Sequence, residues 1–239
     1  MASEQRDDGG VGQMVFLPFR SAWWIAKGLM LLWFVSCAVH ITYVRYNHLN
    51  GEVHMGELVD YYIGQAGSRA QWVRGIADTG YYWVFEATEA QRSFFTAPAP
   101  LAAPVGGTTG ARTNLAMATK RGVWAVFKPE LVVLAYGTLL FCVKLGLAVL
   151  ATILATVLMM AAGIDGLVQR SIRRDCGGNE SASLYHRAKH YGFRLIAPGM
   201  AVIFFCWPKA MDPAFVLVPG CTAAALLLLF QFSYYKKYF

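Results

Sequence analysis

The side chains best able to do chemistry gather in one segment, Ile164–Lys189, which reads IDGLVQRSIRRDCGGNESASLYHRAK. Arg170, Arg173 and Arg174 stand at helical spacing, Gly177 and Gly178 make a turn, and Ser181 to Lys189 read as the start of a second helix. Asp165, Glu180 and His186 are the types that acid–base or metal chemistry would draw on. No second His or Cys stands at ligand spacing, however, and no nucleophile is paired with a base. No catalytic, cofactor or metal site is therefore expected, and the chain reads as a non-enzyme. What the arginines can do is recognise anions: a basic loop beside a membrane binds anionic lipid headgroups and fixes orientation.

Two further candidates fail on spacing. Gly106–Thr109, Gly110, Ala111, Arg112 and Thr113 come near a phosphate-binding loop, but one residue is missing, Ala-Arg replaces Lys, and no strand precedes it. The five cysteines, Cys37, Cys142, Cys176, Cys206 and Cys221, form no C-x-x-C pair and mostly lie in apolar runs, where they act as small hydrophobes. Asn179-Glu180-Ser181 matches a glycosylation acceptor but falls in a segment read as cytoplasmic.

The elements around these residues are membrane spans. Of the 239 residues 56% are apolar and 15% charged, against roughly 45–50% and 25% in an average soluble domain. The start, MASEQRDDGGVGQ, lacks the basic region and cleavage site of a secretory signal, so the first apolar segment is expected to be retained as an anchor. After a tail over 1–20, that span covers 21–44, with Trp23, Trp24, Tyr43 and Tyr46 as interfacial aromatics and Lys27 placed to snorkel. A second, over-long span covers 130–164, which implies tilt or projection beyond the bilayer. Lys144 interrupts it; with no carboxylate at matching depth in another span, Lys144 is expected to snorkel or to face neighbouring helices. Ala151 and Ala155 offer a small-x-x-x-small contact. The basic loop fills 165–194. A hairpin of two spans fills 195–233, turning at Pro208–Asp212 with Pro198 and Pro219 inside its runs, and a tail follows over 234–239.

The fold class expected is thus an all-α integral membrane protein with four transmembrane helices and a helical periplasmic segment between the first and second. Basic residues in 165–194 and at Lys236 and Lys237 put both termini in the cytoplasm of a bacterial inner-membrane protein. The periplasmic segment, 45–129, holds apolar residues at helical spacing (Leu58, Tyr61, Tyr62, Trp72, Val73, Ile76, Tyr81, Val84, Phe85) and predicts one or two amphipathic helices, broken or bent near Gly64–Gly67 and Gly80. A Pro/Gly linker covers 97–111, and a second amphipathic stretch, Arg112–Phe127, leads into the second span along the membrane surface.

The string D-G-L-x-x-R followed by R-R-x-x-G-G-x-E-S-x-x-L-Y-H-R-A-K, Asp165 to Lys189, with its flanking spans and the Trp23-Trp24 entry to the first, resembles a family of small inner-membrane proteins of integrative and conjugative elements. That family is a domain of unknown function found beside the conjugative coupling ATPase. The resemblance implies a membrane subunit of a type IV secretion apparatus for DNA transfer. Its implied partners are the coupling ATPase, other secretion membrane subunits and anionic lipids, in a hetero-oligomer. Contact would fall on Arg170, Arg173, Arg174, Glu180, His186, Arg187 and Lys189. The alternative is a small transporter or channel lined by Lys144 and the proline-bearing hairpin. Direct DNA contact has only a weak basic footprint interleaved with acids.

Overall fold

The computed structural model describes residues 10–87, 108–176 and 196–234, without the side chains of 10–21, 108–126 and 197. Among these residues the regular structure is helical: α1 (Gly10–Tyr46), α2 (Gly51–Gln65), α3 (Ala70–Tyr81), α4 (Thr108–Asp175), α5 (Ala197–Cys206) and α6 (Ala214–Ser233). Among the described residues three stretches are long and apolar enough to cross a membrane: Ala22–Tyr46 in α1, Phe127–Asp175 in α4, and Ala214–Ser233 in α6. The ten described residues of α5 rise about 15 Å; residues 177–195, before them, lie outside the described part.

The spine is α4. Its 68 residues make a helix of roughly 100 Å. Arg112–Phe127 joins the span without a break, Pro129 stands inside the helix, and the helix runs on through Asp165 to Asp175 before it ends. Arg170, Arg173 and Arg174 therefore sit on its last turns.

Packing divides α4 into two halves. Along the first, Val133, Leu140, Phe141, Val143 and Leu147 form a core with Val44 of α1, Met55, Leu58, Val59 and Tyr62 of α2, Val73 and Ala77 of α3, and Phe204 and Phe205 of α5. Chain α2 ascends beside α4, with Gly51 against Val133 and Met55 against Gly137, and α3 returns, with Val73 against Gly146 and Gly80 against Cys142. The reversal uses Gly67, whose φ of +53° belongs to the left-handed region that glycine adopts freely, followed by a 3-10 turn at Gly67–Arg69. Gly80 does not break α3. A Cβ there would stand 2.5 Å from the Cys142 sulfur, so this glycine lets two helices touch, and the backbone changes two residues later in a π-helical turn, Tyr82–Glu86. The α2–α3 hairpin exposes Glu57, Asp60 and Arg74, and Glu52 and Asp78 are exposed beside α4.

A tight link sets α2 against α1. His48 takes a φ of +52°, and Asn50 caps α2 by accepting from the Glu52 backbone N–H at 3.2 Å. Arg45 and Glu130 meet at 3.4 Å across the same corner; this exposed pair contributes little.

Along its second half α4 packs on α6. Gly163 lies under Phe232, and at Gly166 a Cβ would meet the Leu229 carbonyl at 2.8 Å and the Phe232 Cβ at 3.0 Å. The close approach falls on these glycines, while Ala151 and Ala155 are only half-buried. Val149, Ile153, Leu154, Val157, Met160, Ile164, Leu167, Val168 and Ile172 remain exposed on the other sides, an apolar sleeve suited to lipid.

Substituting Gly166 with Val drives a side chain into α6 backbone and is expected to cost about 1–3 kcal/mol. Gly75→Ala, where nothing lies within 4 Å of the new methyl, should leave the melting temperature in detergent unchanged or slightly raised. Equal melting of the two variants would contradict the α4–α6 contact.

Candidate functional site

The polar interior of the packed half is organised by Lys144, which is 0% exposed. Helix α5 stops at Cys206, Trp207 is extended with ψ 120°, and Pro208 follows, which disfavours helical geometry at the residue before it. The last carbonyls of α5 are thereby released from the helix, and neighbouring helices supply donors to them. The Lys144 ammonium donates to the Phe205 carbonyl at 3.2 Å and the Trp207 carbonyl at 3.1 Å. Ser36 of α1 donates to the same Phe205 oxygen at 2.8 Å. From α2, the Tyr62 hydroxyl donates to the Lys209 carbonyl at 3.4 Å, and His54 Nε2 lies 3.4 Å from the Pro208 carbonyl. Burial pushes the Tyr62 phenol up to about 12, so it remains a protonated donor at physiological pH.

The ammonium also faces aromatic rings, 4.9 Å from the centroid of Tyr62 and 6.0 Å from that of Phe204. Their negative faces and the negative end of the α5 dipole compensate a charge that has left water. Beside it, His40 is 1% exposed, with Nδ1 2.7 Å from the Ser36 carbonyl. A carbonyl only accepts, so Nδ1 carries the proton, and Nε2 is buried with no hydrogen-bond partner. Trp33 donates to Thr138 at 3.1 Å, and Thr138 donates to the Leu134 carbonyl at 2.9 Å.

This node ties α1, α2 and α4 to the turn between α5 and α6. Lys144 indeed faces neighbouring helices. Its partners are backbone carbonyls, so no carboxylate at matching depth is needed. The sequence assigns no role to Ser36, His40 and Thr138, and gives Tyr62 only a place on an apolar helix face. Two signals were present: polar residues at Ser36 and His40 in the first apolar run, and Pro208 at the end of the third.

The arginines lie elsewhere. Twenty-nine residues of helix separate Lys144 from Arg173, roughly 43 Å. Arg170 and Arg173 are half-buried and Arg174 exposed. The Arg173 guanidinium sits 4.0 Å over the Tyr234 ring just past the end of α6, and Arg174 pairs with Asp175 at 3.7 Å. Glu180, His186, Arg187 and Lys189 lie outside the described residues. A separate cleft of about 510 Å³ opens between α2, α3 and α4, lined by Glu52, Asp78, Tyr81 and Tyr136 among apolar residues; burial first, and then the Glu86 charge, raises the Tyr81 phenol.

With this geometry in place, the comparison with known families is informative. A family model described as IncC plasmid conjugative DNA transfer protein DtrJ-like matches residues 62–236, and the chain belongs to this family. The match takes in Tyr62, α3, α4, Lys144, the arginine-bearing end and the α5–α6 hairpin, and it bears out the resemblance to membrane proteins of conjugative elements. No curated protein and no solved structure matches the chain.

Replacing Lys144 with Met keeps the bulk but leaves the Phe205 and Trp207 carbonyls without the ammonium, an expected loss of about 1–3 kcal/mol. Gln, with an amide donor, should restore part of it. A Lys144→Met variant that melts in detergent with the wild type would show that the node does not hold the helices.

Proposed function

We propose that this conjugative DNA-transfer protein is a non-enzymatic membrane subunit of the transfer apparatus and an assembly partner of the coupling ATPase, within a type IV secretion complex. The observation that carries the reading is the family match over residues 62–236. The geometry supports it: a packed head, a long helical stem and an arginine-bearing end make a scaffold, and the polar groups around Lys144 join helices.

The membrane placement we propose follows from which surfaces are charged. Exposed Glu57, Asp60 and Arg74 would each cost several kcal/mol in hydrocarbon, so the α2–α3 hairpin lies in water on the periplasmic side of the inner membrane. The sleeve from Val149 to Ile172 of α4, with exposed Phe215, Val218, Leu226 and Phe230 of α6, faces lipid. Helices α5 and α6 form a hairpin, with Met200 against Gly220 on either side of the 207–213 turn. That return favours four passes, counting α1, α4 and the two arms of the hairpin, and places both termini in the cytoplasm. Arg170 and Arg174 then stand at the cytoplasmic boundary, where a partner ATPase or its acidic surface is within reach. The transporter reading is weaker, because Lys144 is engaged by backbone carbonyls from one turn, a packing role.

The test is purification of tagged protein, after gentle solubilisation, from cells carrying the whole conjugative element. The coupling ATPase should be retained, and recovery of the lone protein would sink the assembly role. Arg174→Glu is expected to lower transfer about tenfold, equivalent to about 1.4 kcal/mol of contact, with the protein still inserted in the membrane. A reporter fused after Phe239 should be active in its cytoplasmic form; periplasmic activity would overturn the four-pass plan.

A further inference from the structure

The cleft of about 510 Å³ between α2, α3 and α4 takes no part in the bonds around Lys144. Glu52 of α2 and Asp78 of α3 line it and are exposed, Tyr81 and Tyr136 line it with them, and Val132 and Leu139 of α4 give it an apolar wall. No described Lys, Arg or His lines it. Among the described residues neither carboxylate stands in an ion pair, and Glu86 brings a third negative charge near Tyr81. Helix electrostatics accounts for only one of these acids. Glu52 lies in the first turn of α2, where the helix dipole favours a carboxylate. Asp78 falls in the last turn of α3 and Glu86 ends the π-helical turn after it, with no basic residue in the last turn of either. The dipole disfavours an acid at that end, so a cation brought to the cleft relieves a charge that the described helices leave unmatched.

The chemistry of the lining narrows what that cation is. Among the described residues no three His, Cys, Asp or Glu side chains come together to hold a metal ion. The volume falls instead among pockets of roughly 300–1,000 Å³ that enclose organic ligands, and the apolar wall suits an alkyl stem. A guanidinium fits this set best: it pairs with carboxylates through parallel hydrogen bonds, has further donors for phenol oxygens, and lies on aromatic faces. Tyr82 and Trp83, the two residues after Tyr81, are 50% and 67% exposed. Tyrosine, tryptophan and arginine are the residues in which the binding energy of protein interfaces concentrates. We propose that this cleft is a docking site for an arginine side chain presented by a segment of another protein. The site rests on the periplasmic placement of the α2–α3 hairpin argued above, which makes that segment periplasmic, and it does not depend on the coupling ATPase being the partner.

Purified full-length protein in a neutral detergent would be titrated with fluorescently labelled acetyl-Leu-Arg-Leu amide, with the same peptide carrying neutral citrulline for arginine, and with spermidine as a competitor. The arginine peptide should bind, the citrulline peptide about tenfold more weakly, and equimolar spermidine should not displace the first. Asp78→Asn and Glu52→Gln should each weaken the arginine peptide about tenfold, whereas Asp60→Asn, outside the cleft, should not. Asp78→Asn should leave the melting temperature unchanged or slightly raised, since it removes an acid from the wrong end of a helix. In cells carrying the whole element, Asp78→Lys should lower transfer about tenfold or more with the protein still inserted, and second-site revertants should replace an arginine in a periplasmic segment of another transfer protein. Equal binding of the two peptides, displacement by equimolar spermidine, unchanged binding in both Asp78→Asn and Glu52→Gln, or self-association of the pure protein that Asp78→Asn abolishes would each overturn the arginine docking. The titration uses this protein alone, so its failure is separable from failure of the coupling-ATPase reading.

Discussion

An ammonium group shut away from water must be surrounded by acceptors, and the backbone carbonyls at the end of a broken helix must be surrounded by donors. In this protein each requirement meets the other at Lys144, with the Phe205 and Trp207 carbonyls as its partners. The arrangement fixes more than a hydrogen bond. It demands that α5 end opposite residue 144, that Ser36 of α1 reach the same carbonyl, and that Tyr62 and His54 lean in from α2 to serve the next two. Dispersion and burial hold the surrounding core, but an apolar core of this kind tolerates sliding. Directed bonds to one turn set its register.

From that register follows the asymmetry of the molecule. In the head the α2–α3 hairpin covers α4 with a charged outer surface, while the stem leaves α4 covered chiefly by α6 and otherwise apolar. Glycine determines where contact is closest: Gly80 and Gly146 admit α3 to the head, and Gly166 admits α6 to the stem. Each removes a Cβ from a place where another helix would strike it, so helices with little propensity-driven stability gain tight packing. The unbroken course of α4 then makes the two halves mechanically one.

Hydropathy made the apolar segments, the α5–α6 hairpin and the helical character of 45–87 legible, because burial and lipid contact both act on periodic runs of side chains. The helical spacing of Arg170, Arg173 and Arg174 before the Gly177-Gly178 turn was legible as well. Hydropathy closed the span at 164 and opened a loop at 165, yet charged residues are good helix formers once outside lipid, and the helix continues unbroken to Asp175. The string at 165–189 pointed to conjugative-element proteins, as the family match bears out, but Glu180, His186, Arg187 and Lys189 fall outside the described residues. The Lys144 node was not legible, because its acceptors are main-chain atoms that every residue possesses. No residue type announces a carbonyl about to be released. Only the position of Pro208 relative to a lysine distant in sequence does, and that relation exists once the helices are packed.

The same reasoning separates the two cationic centres. Lys144 and Arg173 are both partly or wholly removed from water, and both face aromatic rings, yet their bonding differs. The ammonium has two carbonyl acceptors, and Tyr62 and His54 serve the rest of the turn, so the charge is absorbed into the fold. The Arg173 guanidinium has the Tyr234 ring over its face and a buried Nη1 without a hydrogen-bond partner. Asp165 and Asp175 stand eight and two residues from it on the same helix, spacings that turn their carboxylates away from it. The aromatic face is therefore the compensation that the end of α6 brings to this arginine, and it ties α6 to α4 without the directed bonds that fix the register at Lys144.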